Sequence, residues 1–182
     1  MVFDFCAGRG GRYATEFLKG WSGTLVVDAY SGYDAALSLD GRSTAYCLAH
    51  ARRKFDELVK ANASVVAGQA IQRIAWLYKI EADARSLSAE QRLQMRQERS
   101  QPLWNEMQVW LQLERTRVPD GSAIAKAIDY SVNHWAGLGR FLWTAMCRST
   151  TTTSRTGSGL GPWVGAIGCS SAASWQASGP QS

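Results

Sequence analysis

Residues 23–30 read GTLVVDAY, and this octet decides the fold class. Thr24 to Val27 form a short β-prone run that is apolar on both faces, as an inner strand covered by helices must be. Asp28 closes the run, and a turn follows in DAYSGYDA, residues 28–35. In α/β sheets, ligands bind beyond the carboxyl ends of the strands. Magnesium takes oxygen ligands and uses more than one carboxylate together with substrate phosphates. Asp28 is therefore a candidate metal ligand. The alternative is that it caps the turn after the strand.

Upstream, MVFDF at residues 1–5 is a second β-prone run, and its position at the first residue places the natural start further upstream. GRGGR at 8–12 lacks the G-K-[ST] ending of a nucleotide-binding loop. It reads as a turn in which Arg9 and Arg12 are weak phosphate contacts. A short helix follows, with Phe17 and Leu18 on its apolar side and Gly20 as its stop.

Downstream, the pattern becomes helical from Cys47. LAHARRKFDELVKANAS at 48–64 has no breaker before Asn62. Ser64 caps the next helix, in which Ile71, Ile74, Leu77 and Tyr78 recur at helical spacing. Ser88 and Gln91 have capping-box spacing. Pro102 opens or kinks a helix that carries Leu103, Met107, Trp110 and Leu111 on one face. VPDGS at 118–122 is a turn, with Ser122 as a cap. The last helix carries Ile124, Ile128, Val132, Trp135, Leu138 and Leu142 on one stripe. Trp76, Trp104, Trp110 and Trp135 sit in these patterns as core or helix-interface residues.

The chain has 182 residues, 46% hydrophobic and 19% charged, which suits a soluble globular domain. Its net charge of +5 fits an anionic partner or a plain solvated surface. The four cysteines, Cys6, Cys47, Cys147 and Cys169, show no close pairing. No signal peptide and no apolar run of membrane-spanning length is present, so the expected setting is a reduced cytoplasm, away from membranes. Cys47 and His50 form C-x-x-H, followed by Arg52, Arg53 and Lys54. A zinc site needs four ligands, and the chain has two histidines, so structural zinc does not fit. The basic run is either a solvated face or a phosphate-facing one. His134 reads as a structural histidine.

Beyond Leu142 the pattern stops. Residues 143–182 contain no Asp, Glu or Lys, yet they include Trp143, Trp163 and Trp175. Disordered tails are poorer in aromatics and richer in charge. The segment looks like coding sequence read out of frame.

Four blocks carry a family resemblance: GTLVVDAYSGYDA, YCLAHARRKFDELVKAN, the stretch from AGQAIQRIAWLYKIEADARSL to NEMQVWL, and SAIAKAIDYSVNHWAGLGRFL. Together, over roughly Val2 to Leu142, they resemble the catalytic region of insertion-sequence-66-type transposases. The resemblance implies an RNase H-like fold with a D-D-E set of acids that holds two divalent metals, magnesium or manganese. Such metals activate the attacking and leaving oxygens in phosphodiester hydrolysis and strand transfer. It implies element-end DNA as partner, with a homo-oligomer or companion element proteins beside it. In the family the second acid stands in a D-G-Y-type motif. Asp28 in DAY matches it, with Ala29 in place of glycine, and Cys47 and His50 match the C-x-x-H. The family's first acid lies upstream of the VFDF strand, so Asp4 does not match it.

The family continues past GRFL with a stretch containing I-D-N-N-x-x-E-N. Read one base out of register, codons for I-D-N-N-H-I-E-N-R give S-T-T-T-T-S-R-T-G, the sequence of Ser149 to Gly157. The glutamate codon then straddles Ser154 and Arg155, and no glutamate is made.

The expected fold is α/β: a partial RNase H-like domain over 1–142 with few strands, a helical insertion at about 64–118, and a disordered, frameshifted tail at 143–182. The expected function is that of a transposase fragment without cleavage activity, its surviving catalytic and metal-binding acid being Asp28 and its DNA-binding candidates Arg52, Arg53 and Lys54. One alternative is a DNA-binding or transposase-interacting remnant. Another is a nuclease completed by Asp4, Asp28 and Asp34 or Asp40.

Overall fold

A computed structural model of the chain describes residues 10–38, 41–144 and 167–169. The MVFDF run, Arg9, Asp4, Asp40 and most of the 143–182 tail lie outside the described residues. In chain order the elements are α1 (Gly11–Phe17), β1 (Gly23–Val27), α2 (Asp34–Leu37), β2 (Arg42–Tyr46), α3 (Leu48–Lys60), α4 (Val65–Asp83), α5 (Ala89–Met95), α6 (Gln101–Arg117), α7 (Ala123–Asn133), α8 (Trp135–Leu138) and β3 (Ile167–Cys169). Helix predominates over a small sheet. Among the described residues no helix is long and apolar enough to cross a membrane.

β1 is the central strand of the sheet, in the order β2-β1-β3. β2 runs parallel to it, from Gly23 opposite Arg42 to Val27 opposite Tyr46. β3 pairs antiparallel, with Thr24 opposite Cys169. Two strands therefore depart from the sequence expectation. RSTAY at 42–46 is too polar to announce a strand, and β3 lies inside the segment read as an irregular tail.

β1 is covered on both faces. Leu25 and Val27 pack with Leu18 and Ala36 in a small cluster, while Val26 joins the main core with Ala45, Phe55, Ile74, Leu111 and Ile128. That alternation is the two-residue period of a strand. The small layer is tied down by Arg42. Its guanidinium donates to the carbonyls of Trp21 at 2.8 Å, Ala36 at 2.6 Å and Leu18, where α1 and α2 end. Of Phe17 and Leu18, both expected on the apolar side of α1, Leu18 is buried and Phe17 is exposed.

The helix boundaries follow the punctuation in the sequence. Asn62 takes a left-handed φ of 49° between α3 and α4. The side chains of Ser64, Ser88 and Ser122 each accept a hydrogen bond from the backbone N–H three residues on, and Gln91 completes the box at Ser88. The stripe from Ile124 to Leu142 is not one helix. It breaks at His134 (φ −106°, ψ 14°) and ends in the 3-10 turn Gly139–Trp143. Trp104 and Trp135 are buried, and their rings stack at 4.0 Å. Trp76, expected in the core, is 63% exposed. Gly139 packs directly on Trp104: a Cβ there would come within 2.8 Å of its Nε1.

α5 and α6 are joined by a π-helical turn, Arg96–Ser100. Pro102 has no N–H, so the carbonyl of Glu98 loses its helical donor, and the widened turn lies immediately before it. The turn carries Arg96 inside, at 1% exposure. Its guanidinium grips the Glu81 carboxylate at 2.7 and 2.6 Å. It also donates to the carbonyls of Phe141 at 3.0 Å and Thr144 at 2.8 Å. One side chain thus joins α4, the π turn and the last described turn of the helical region. Removing one partner of a buried ion pair leaves the other charge uncompensated, which costs about 3–5 kcal/mol. Arg96→Ala is expected to lower unfolding stability by that amount in a urea titration, and a loss below about 1 kcal/mol would contradict the role given to Arg96.

Candidate functional site

The carboxyl ends of β1 and β2 open toward the amino terminus of α3. The Cys47 N–H donates to the Val27 carbonyl at 2.8 Å, extending the parallel ladder by one bond before α3 begins at Leu48. Asp28 therefore stands beside the first turn of α3, where backbone N–H groups favour negative charge. Asp28 is exposed. Its Oδ1 accepts the Tyr30 N–H at 3.3 Å, so the turn-capping role and an accessible carboxylate coexist in one residue.

His50 lies close enough to Asp28 to feel its charge. Burial pushes the imidazole below its ordinary value, Asp28 pulls the other way, and Arg53 and Lys54 reinforce the lowering. The imidazole is neutral at neutral pH. Its Nδ1 is buried and has no hydrogen-bond partner among the described residues. Arg53 and Lys54 follow His50 by three and four positions, which places them on its face of α3.

One residue that sequence reasoning left out, Tyr130, completes the cluster, and His134, read as a structural histidine, packs beside it. The Tyr130 hydroxyl, on α7, donates to the Asp28 carbonyl at 3.1 Å. Burial, and after it the nearby Asp28, raise this phenol to about 12, so it keeps its proton. Lys54 Nζ sits 4.5 Å from the centre of the Tyr130 ring. His134 Nδ1 lies 2.7 Å from the Tyr130 carbonyl, and its ring meets Tyr46 edge-on at 4.8 Å. Tyr130 and Asp28 are 102 residues apart, and nothing local to either announces the contact.

The other sequence candidates lie elsewhere. Cys47 is fully buried in the main core, beneath the carboxyl end of β1. Arg52 projects from another side of α3, where its charge acts on Asp56 and Tyr78. Asp34 is exposed in the first turn of α2. Among the described residues no group of three or more His, Cys, Asp or Glu side chains could hold a metal ion. The described residues do not make up a two-metal centre.

The family model described as "Transposase IS66 family" matches residues 1–151. The chain belongs to the IS66 transposase family. It is 38% identical over 146 residues to the uncharacterized protein y4jD of Sinorhizobium fredii, covering 77% of this chain and 29% of that one. It is 37% identical over 157 residues to the uncharacterized protein y4hP of the same organism, covering 78% and 28%. The chain thus spans under a third of the length of the curated relatives it matches. No solved structure matches it.

Within the IS66 transposase resemblance, the D-A-Y variant now has a physical reading. Ala29 holds a φ of 63°, a left-handed conformation that costs a residue with a Cβ about 1–2 kcal/mol and a glycine little. The position thus favours the glycine expected of the family. Ala29→Gly is expected to raise the urea midpoint, by about 1 kcal/mol of stability. A drop in the midpoint would contradict the backbone geometry at this turn.

Proposed function

We propose that this chain is a DNA-binding part of an RNase H-like transposase catalytic domain, retaining one carboxylate of the catalytic set, Asp28, and not cutting DNA by itself. The observation that carries this reading is the placement of Asp28. It lies at the carboxyl end of a parallel strand, against the amino terminus of α3, with Arg53 and Lys54 on the same helix face as His50. An acid flanked by helix-terminal N–H groups and two basic side chains suits a phosphodiester: the cations and the N–H groups hold phosphate oxygens. The acid is the group that would share a divalent metal, magnesium or manganese, with further carboxylates.

Each residue has a stated part. Tyr130 fixes the strand end through the Asp28 carbonyl, and its ring steadies Lys54 by a cation–π contact. His50, neutral, is available to accept or donate a hydrogen bond at the Asp28 carboxylate or a phosphate. In this reading a one-base shift across Ser149 to Gly157 replaces the family's glutamate, and among the described residues no further acid joins Asp28 in a metal-holding group.

This reading predicts a salt-dependent affinity for duplex DNA, in which each phosphate contact contributes a slope near −0.9 in log K against log salt. Lys54→Ala is expected to lower that slope by about one and to weaken duplexes of unrelated sequence equally, as measured by fluorescence anisotropy between low and moderate salt. An affinity insensitive to salt, or an unchanged slope in the variant, would overturn the assignment of this face to DNA.

A further inference from the structure

A second place gathers recognition chemistry away from Asp28. An open groove of about 180 Å³ runs between α6, α8 and the turn Gly139–Trp143. Gln101, Asn105 and Gln108 line one side, at positions i, i+4 and i+7, so the three carboxamides stand in one row along the helix. Trp104 and Trp135, stacked on each other, form the wall. Trp143 lies at the rim with 59% of its surface exposed. None of the described lining residues is charged.

This lining defines its ligand. An uncharged groove gives no electrostatic reward to a phosphate or a carboxylate. Trp104 and Trp135 are buried against each other, so it is the exposed indole of Trp143 that offers an aromatic surface to a flat ring, and carboxamides offer both donors and acceptors to that ring's edge. Nucleobases combine those properties: asparagine and glutamine pair with base edges, and tryptophan stacks on base faces. A cavity of about 150 Å³ holds a benzene ring, so a groove of about 180 Å³ is of the size of one ring system, and its open mouth would leave a sugar and phosphate outside.

We propose that the groove binds a single unpaired nucleobase of a DNA strand. The proposal rests on the DNA-binding reading above and adds to it a contact of a different kind. Affinity at Arg53 and Lys54 is ionic and shared by all duplexes, whereas this groove requires a base out of its stack and responds little to salt. A duplex region would track the basic face of α3 while an unpaired position is held at Trp143.

The test uses the full chain and single-stranded oligonucleotides carrying one 2-aminopurine, compared with strands of equal length in which that position is abasic. Binding is expected to quench the 2-aminopurine, and the abasic strand is expected to bind about tenfold more weakly. Trp143→Ala and Gln108→Ala, both away from the buried core, are expected to weaken the intact strand by a similar factor and to leave duplex affinity unchanged. Equal affinity for intact and abasic strands, or no effect of either variant, overturns the proposal. Displacement of the 2-aminopurine strand by a monosaccharide but not by adenosine also overturns it and makes the groove a sugar site. If duplex binding fails while adenosine still displaces the strand, the groove stands and the α3 reading falls.

Discussion

The helical part of this structure depends on one buried cation. Arg96 gives its guanidinium to the Glu81 carboxylate on α4 and to two carbonyls at the end of the helical region. A guanidinium has five N–H donors in a fixed fork, and here they reach α4 and the Phe141–Thr144 end of the helical region and tie both to the π turn. A buried arginine is tolerable only when paired and hydrogen-bonded, and both conditions are met. The π turn before Pro102 is what brings it inside. The local defect caused by a missing N–H is thus used to anchor the hairpin of α4 and α6 to the segment bearing Trp135 and Trp143.

That anchoring reaches both surfaces proposed for DNA. The groove has α6 on one side and the turn held by Arg96 on the other. The Asp28 site depends on it less directly, through α7, which packs on α3 and α6 and carries Tyr130 to the end of β1. The opposite face of the sheet has its own anchor in Arg42, which gathers the ends of α1 and α2 against Leu25 and Val27. Two arginines, one per layer, thus hold what apolar packing alone would leave free to slide.

Much of this was legible along the chain, and the exceptions have physical causes. β1 was readable because it is buried on both faces and so lacks polar interruption. The caps at Ser64, Ser88 and Ser122 were readable because capping is local, decided within four residues. β2 was missed because its identity comes from its partner: RSTAY becomes a strand by pairing with β1, and the guanidinium of Arg42 is taken up by the carbonyls of Trp21 and Leu18, 21 and 24 residues upstream. The break at His134 was hidden because the apolar stripe continues through it. Trp76 stands two residues after Ile74 and five after Ile71, off the stripe that α4 buries, and so falls on its outer side. In the candidate site, the strand end before Asp28 and the basic helix bearing His50, Arg53 and Lys54 were legible from pattern. Tyr130 was not, since its bond to Asp28 spans the whole helical region.

The central claim is that Asp28 stands as a catalytic-type acid without the partners that cleavage needs. Incubating supercoiled plasmid with the full chain in manganese, and following conversion to the nicked form, tests it most directly. The account predicts no conversion above the protein-free control, for the chain as it stands and for Asp28→Ala alike. Nicking by the chain that disappears in Asp28→Ala would contradict it, because the acid would then be working within a complete site.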